Sequence, residues 1–197
     1  MERKLKPIPV QEALRARGLR LFSPEEFRRA FDVTLRAAQG FLHDHRADLF
    51  VKLRNGLYAL RTDFPDSLEI ANRLYAPSYV SFEYALSLHR LIPETVYAVT
   101  SATPRLTREF TAGGRTFEYA RIQRAAYGGY RPEQRNGVTV LIAEPEKALV
   151  DYLYFVDLGL KPMNDRLRTA GLRKGLAVRY ASGFRRKSLT ARLREIL

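Results

Sequence analysis

The sequence predicts an α+β chain: an amino-terminal winged helix-turn-helix followed by a mixed α/β carboxy-terminal domain. Three observations carry that reading. Residues 34–61, TLRAAQGFLHDHRADLFVKLRNGLYALR, read as a helix running at once into a tight hairpin, and two shorter helical stretches precede them. From residue 63 onward, helical and strand patterns are interspersed in a segment of different charge. Helix, helix, helix, hairpin is the order of a winged helix-turn-helix, in which the third helix enters the major groove.

In chain order, Met1 to Pro9 predicts a basic, loosely ordered arm. Val10 to Arg17 predicts a short helix with Val10, Ala13 and Leu14 on one side and Gly18 as its stop. Ser23-Pro24-Glu25-Glu26 then supplies an N-cap, a first-position proline and acids suited to the helix dipole. That helix runs to Phe31, burying Phe27, Ala30 and Phe31. Asp32 or Thr34 caps the third helix, where Leu35, Ala38 and Leu42 share a packing face while Arg36, Gln39, His43 and Arg46 share a polar one. Gly40 within it costs about 0.8–1 kcal/mol relative to alanine; either the backbone is approached closely there or the helix boundary lies elsewhere. Phe50 to Lys52 and Leu57 to Leu60 alternate as half-buried strands around Arg54-Asn55-Gly56, and Asn-Gly is a strong hairpin signal.

Asp63-Phe64-Pro65-Asp66-Ser67 breaks the pattern and divides the chain into domains 1–62 and 63–197, with Ser67 capping the next helix. Leu68 to Leu74 and Phe82 to Leu91 predict helices, the second capped by Ser81. Val96 to Thr100 predicts a strand, and Thr107 to Phe110 with Thr116 to Ile122 a second hairpin around Ala112-Gly113-Gly114. Val138 to Ala143 is a continuous apolar run and predicts a buried strand. Glu144-Pro145-Glu146-Lys147 opens a helix to Phe155 that buries Ala148, Leu149, Tyr152 and Phe155. Ser188 to Leu197 predicts a last short helix, with Arg192 and Arg194 outside.

With 197 residues and 46% hydrophobic composition the chain can bury a core. It has no cysteine, which excludes disulfides and thiolate zinc sites, and three scattered histidines argue against a histidine metal site. MERKLKPIPV lacks a following apolar region of signal-peptide length and no apolar run reaches membrane-spanning length, so a cytoplasmic protein without membrane contact is expected. The net charge of +13 points to a polyanionic partner, nucleic acid foremost and anionic lipid as the rival. That charge is uneven: residues 1–62 hold thirteen Lys and Arg against seven Asp and Glu, residues 63–157 ten against twelve, and the tail 158–197 eleven against two.

Candidate DNA contacts are Thr34, Arg36, Gln39, His43 and Arg46 on or beside the reading helix and Lys52, Arg54, Asn55 and Arg61 on or beside the wing. Arg pairs bidentately with guanine and Gln with adenine, while wing cations suit phosphates. A second basic contact is offered by Arg173, Lys174, Arg185, Arg186 and Lys187. Against these stands the plain alternative of a solvated helix face and a surface hairpin. No phosphate-binding glycine loop occurs, and Gly128-Gly129 reads as a turn. Glu144, Glu146 and Lys147 lack the spacing of a metal-dependent nuclease and read as helix capping and dipole neutralisation. His43, His45 and His89 lack a paired acid at a spacing suited to general-base work. No catalytic residue, metal or cofactor is expected.

Four stretches, in this order, resemble the AbiEi-type antitoxins, the regulator half of a bacterial type IV toxin–antitoxin pair. They are Leu53-Arg54-Asn55-Gly56-Leu57-Tyr58; Tyr79-Val80-Ser81-Phe82-Glu83-Tyr84-Ala85-Leu86 with Leu91-Ile92-Pro93-Glu94; Val99-Thr100-Ser101 with Thr107-Arg108-Glu109-Phe110; and residues 141–151, LIAEPEKALVD. The resemblance implies a winged helix that binds double-stranded operator DNA and represses its own operon, and a carboxy-terminal antitoxin domain opposing an AbiEii-like nucleotidyltransferase toxin, with or without direct binding. A homodimer or cooperative binding on inverted repeats fits the same scheme. Two alternatives stand beside it: a module that neutralises a toxin by direct contact, and a Mg²⁺-dependent nucleic-acid enzyme.

Overall fold

The computed structural model describes residues 5–197 and is α+β, with eight α-helices and two β-sheets among those residues. The chain divides into two compact units, residues 1–70 with 111–114, and residues 71–110 with 115–197. None of the helices is long and apolar enough to cross a membrane.

The first unit begins with α1 (Pro7–Ala16), earlier than the arm expected over Met1 to Pro9. Residues 1–4 of that arm lie outside the described residues. Prolines in a first helical turn withhold N–H groups that have no intrahelical acceptor in any case, so Pro7 and Pro9 are compatible with a start at residue 7. Gly18, at φ +62°, closes the helix: its N–H bonds the Arg15 carbonyl while the Leu19 N–H bonds that of Leu14, a Schellman arrangement. After β1 (Leu21–Phe22), α2 (Pro24–Phe31) starts on a reciprocal capping box between Ser23 and Glu26 and ends at Asp32 in the left-handed region. Thr34 then caps α3 (Leu35–Asp44) through a 3.2 Å bond from the Ala37 N–H.

The hairpin is β2 (Phe50–Arg54) and β3 (Leu57–Leu60), turning at Asn55-Gly56 with Gly56 at φ +76°. The short β1 also pairs with β3, Leu21 opposite Ala59 and Phe22 opposite Tyr58, which gives the sheet order β1-β3-β2. Phe22, Phe27 and Phe50 form the centre of the core with Leu14 and Leu42. Their rings lie 5.7–6.1 Å apart between centroids, within the favourable range for aromatic pairs. Ala38 and Leu42 of α3 point into this core, whereas Leu35, assigned by spacing to the same face, is 37% exposed at the first turn.

Helix α4 (Ser67–Leu74) crosses from one unit to the other. Its cap is Asp66 rather than Ser67, because the Asp66 carboxylate accepts the N–H groups of Leu68 and Glu69. A six-stranded mixed sheet is formed by β4 (Tyr79–Val80), β5 (Val99–Thr103), β6 (Arg108–Ala112), β7 (Arg115–Arg121), β8 (Tyr130–Arg135) and β9 (Val138–Ala143). The strand order is β6-β7-β5-β4-β9-β8. Strand β5 begins three residues later than the strand expected from Val96. Strand β8 is not anticipated by the sequence pattern; its charged side chains and Pro132 suit an edge strand, and Asn136-Gly137 turns it into β9.

Helix α5 (Phe82–Leu88) ends before the expected Leu91, with Arg90 left-handed and the Leu91 N–H bonded back to Leu86. Helix α6 (Pro145–Asp157) packs against α5, α7 (Lys174–Ser182) and α8 (Lys187–Ile196). The tail therefore carries two helices, not one, and α8 buries Leu189 and Leu193.

Candidate nucleic-acid interface

The exposed side of α3 carries Arg36, Gln39, Gly40 and His43. Burying Ala38 and Leu42 fixes which side faces outward. The Arg36 and Gln39 side chains have no hydrogen-bond or ion-pair partner among the described residues. A side chain added at Gly40 would meet no atom within 4 Å, so this part of the helix backbone is open to close approach. Arg46 does not lie on the helix: it follows the C-cap His45, in a turn, with Nη1 3.5 Å from His43 Nδ1. His45 is paired locally with Asp48 at 3.0 Å on the surface, and this bond leads the causes holding the Asp48 carboxyl below its ordinary range.

In the hairpin, Leu53 and Leu57 are buried while Lys52, Arg54 and Asn55 are exposed. Lys52 stands opposite Tyr58 and has no polar partner among the described residues. Arg54 is held at the tip, its Nη1 donating to the Asn55 carbonyl at 2.7 Å. Exposed Arg61 follows β3 and donates to the Phe50 carbonyl at 3.4 Å. Other arginines of the unit are committed internally: Arg20 to Glu69 and Asp63, Arg28 to Glu25, and Arg17 to the Ala30 carbonyl and the Phe31 ring.

The tail cations differ. Arg173 grips Glu146, with Nε to Oε1 at 2.8 Å, and Arg186 Nε lies 2.6 Å from Asp157 Oδ2, which also accepts from Ser188. Burial, the largest single influence, pushes both carboxyls up, but the arginine hydrogen bonds and charge, joined by backbone N–H groups at Glu146 and by the Ser188 hydroxyl at Asp157, together hold them below their ordinary values. Lys174 donates to the Arg194 carbonyl at 3.2 Å. Arg185 and Lys187 are exposed and without a side-chain polar partner among the described residues. Arg192, expected outside, buries its Nε.

The start of α6 corrects the capping assignment. Glu144, Glu146 and Lys147 are 9%, 3% and 1% exposed, and no side chain caps the helix. Lys147 instead pairs with Asp151 one turn on, and Asp151 Oδ2 accepts from Tyr79 at 2.9 Å and Ser81 at 2.7 Å. The Ser81 hydroxyl is thereby diverted from the cap expected for α5. Burial pushes Asp151 up, opposed by its three donors, and burial followed by the Asp151 charge pushes the Tyr79 phenol well above its ordinary range. All four groups are closed to solvent, so the cluster is a packed polar network rather than an open reaction centre. Sequence reasoning passes over Asp151, although its i,i+4 spacing from Lys147 across the run Ala148-Leu149-Val150 marks a polar pair at core positions. Among the described residues, no group of three or more His, Asp or Glu could hold a metal ion.

No protein-family model matches the chain, and no curated protein is detectably similar to it.

Proposed function

We propose that residues 1–62 act as a winged helix-turn-helix on double-stranded operator DNA, with α3 in the major groove and the β2–β3 hairpin as the wing. The observation that carries the reading is the exposed side of α3, where Arg36 and Gln39 are held by nothing else in the described chain. The element order α1-β1-α2-α3-β2-β3, the sheet order β1-β3-β2 and the excess of cations in this segment support it. Arg36, Gln39 and His43 face base edges and Arg46 the adjoining backbone. Thr34 positions the helix start, Gly40 admits close approach, and Lys52, Arg54, Asn55 and Arg61 meet phosphates and sugar. In this reading the chain is an autorepressor and the antitoxin of a type IV pair, opposing a nucleotidyltransferase-like toxin. The four stretches that resemble AbiEi-type antitoxins support this second part.

Fluorescence anisotropy with the DNA upstream of the protein's own gene tests the first part. Arg54→Ala should weaken binding several-fold on every sequence, whereas Gln39→Ala should alter the preference among sequences, at about 1–3 kcal/mol per base contact. Binding that ignores both sequence and salt would defeat the proposal.

A further inference from the structure

We propose that the second unit holds a binding site for a diphosphate group in the cleft between β8, the start of α6 and α7. The cleft has a volume of about 270 Å³ and is walled by Arg131, Arg173, Arg179 and Tyr180 over Glu144, with Leu176 its one apolar side chain. So polar a lining suits an anion and offers no slot for a nucleobase. The volume exceeds what a single phosphate fills.

The guanidinium groups are mounted rather than loose. Glu144, 9% exposed, takes Arg131 Nε on one oxygen and the Tyr180 hydroxyl at 2.5 Å on the other. Glu146, 3% exposed, takes Arg173 Nε at 2.8 Å, Arg173 Nη2 at 3.3 Å and the Arg173 backbone N–H at 3.1 Å. Glu146 thus fixes one edge of the Arg173 guanidinium plane and Glu144 holds Arg131 at its Nε, and the side chains of Arg131 and Arg173 remain 66% and 60% exposed. Among the described residues, the Nη groups of Arg131 and Nη1 of Arg173 stay uncommitted. A guanidinium held along one edge presents the other with little further loss of side-chain freedom, which suits bidentate binding of phosphate oxygens. Arg179 adds a third cation without a carboxylate partner among the described residues. Three cations over two carboxylates leave a positive excess for a ligand to neutralise. Gly175 leaves open space where a side chain would otherwise stand.

Diphosphate reaches such a site either as inorganic pyrophosphate or as the tail of a nucleoside diphosphate whose base remains in solvent. Calorimetric titration of the full chain with pyrophosphate should give saturable one-to-one binding, at least tenfold tighter than orthophosphate. Arg179→Ala should weaken it tenfold or more without moving the ligand-free melting temperature, since Arg179 has no carboxylate to abandon. ADP binding tighter than pyrophosphate identifies the nucleotide as the source; equal or weaker binding identifies the inorganic ion. No saturable pyrophosphate binding, binding indifferent to Arg179→Ala, or binding abolished by Arg36→Ala on α3 would each overturn the proposal. DNA affinity should be unchanged in Arg179→Ala, so this site and the DNA reading can fail separately.

Discussion

In residues 1–62 part of the positive charge sits on side chains that nothing in the described chain holds, Arg36 and Lys52 above all. In residues 158–197 the excess is larger, yet much of it is built into the molecule: Arg173 on Glu146, Arg186 on Asp157, Lys161 on Glu83 and Arg166 on Glu94. The two basic segments look alike in a count of charges and differ in what the charges are available to do. A cation bonded to a carboxylate of the fold is already oriented and largely neutralised, so it adds less to the attraction of a polyanion than an unpaired one. A guanidinium edge left open, as on Arg173, can still meet a small anion.

The inward-facing use of charge is at its extreme in Lys147 and Asp151. Replacing one member of a buried pair leaves the other uncompensated, so Lys147→Met should lower unfolding stability by about 3–5 kcal/mol. Urea melts would read this, with DNA affinity of the folded fraction unchanged. A loss under about 1 kcal/mol would mean that the pair is hydrated and that water reaches the cluster.

A smaller effect is expected at Arg186 and Asp157, and its pH dependence gives the sign. Asp157 and Glu146 are held below their ordinary values of 3.8 and 4.5. Their stabilisation is therefore complete above those values and is lost as the pH falls through the lower folded-state ones. Asp157→Asn should melt at a lower temperature at pH 7, and its further loss between about pH 5 and pH 3 should be shallower than that of the parent chain. Parallel melting curves would show that Asp157 contributes nothing to the acid sensitivity.

Much of the first unit is legible in the sequence because its signals are local: Ser23-Pro24 for a helix start, Thr34 for a cap, Asn55-Gly56 for a turn. What escapes is set by distant partners. Strand β1 is two residues long and exists through its pairing with β3. Strand β8 reads as polar because it is a charged edge, and α7 opens on Lys174-Gly175 with no capping side chain. At the site, Arg36, Gln39 and Lys52 are found where spacing puts them, on exposed surface, whereas Arg46 falls past the helix end. Glu144, Glu146 and Lys147 look like ordinary first-turn residues until Arg131, Arg173 and Asp151 are seen against them, and Tyr79 and Ser81 complete the cluster from about seventy positions away in the chain.

That the exposed cations of the wing hold DNA phosphates is best tested by the salt dependence of operator affinity. Each phosphate contact contributes about 0.9 to the slope of log affinity against log salt. Lys52→Ala combined with Arg54→Ala should make that slope shallower by about two, while Arg185→Ala combined with Lys187→Ala leaves it unchanged. A slope untouched by the first pair, or removed by the second, would show that the DNA is held elsewhere on the chain.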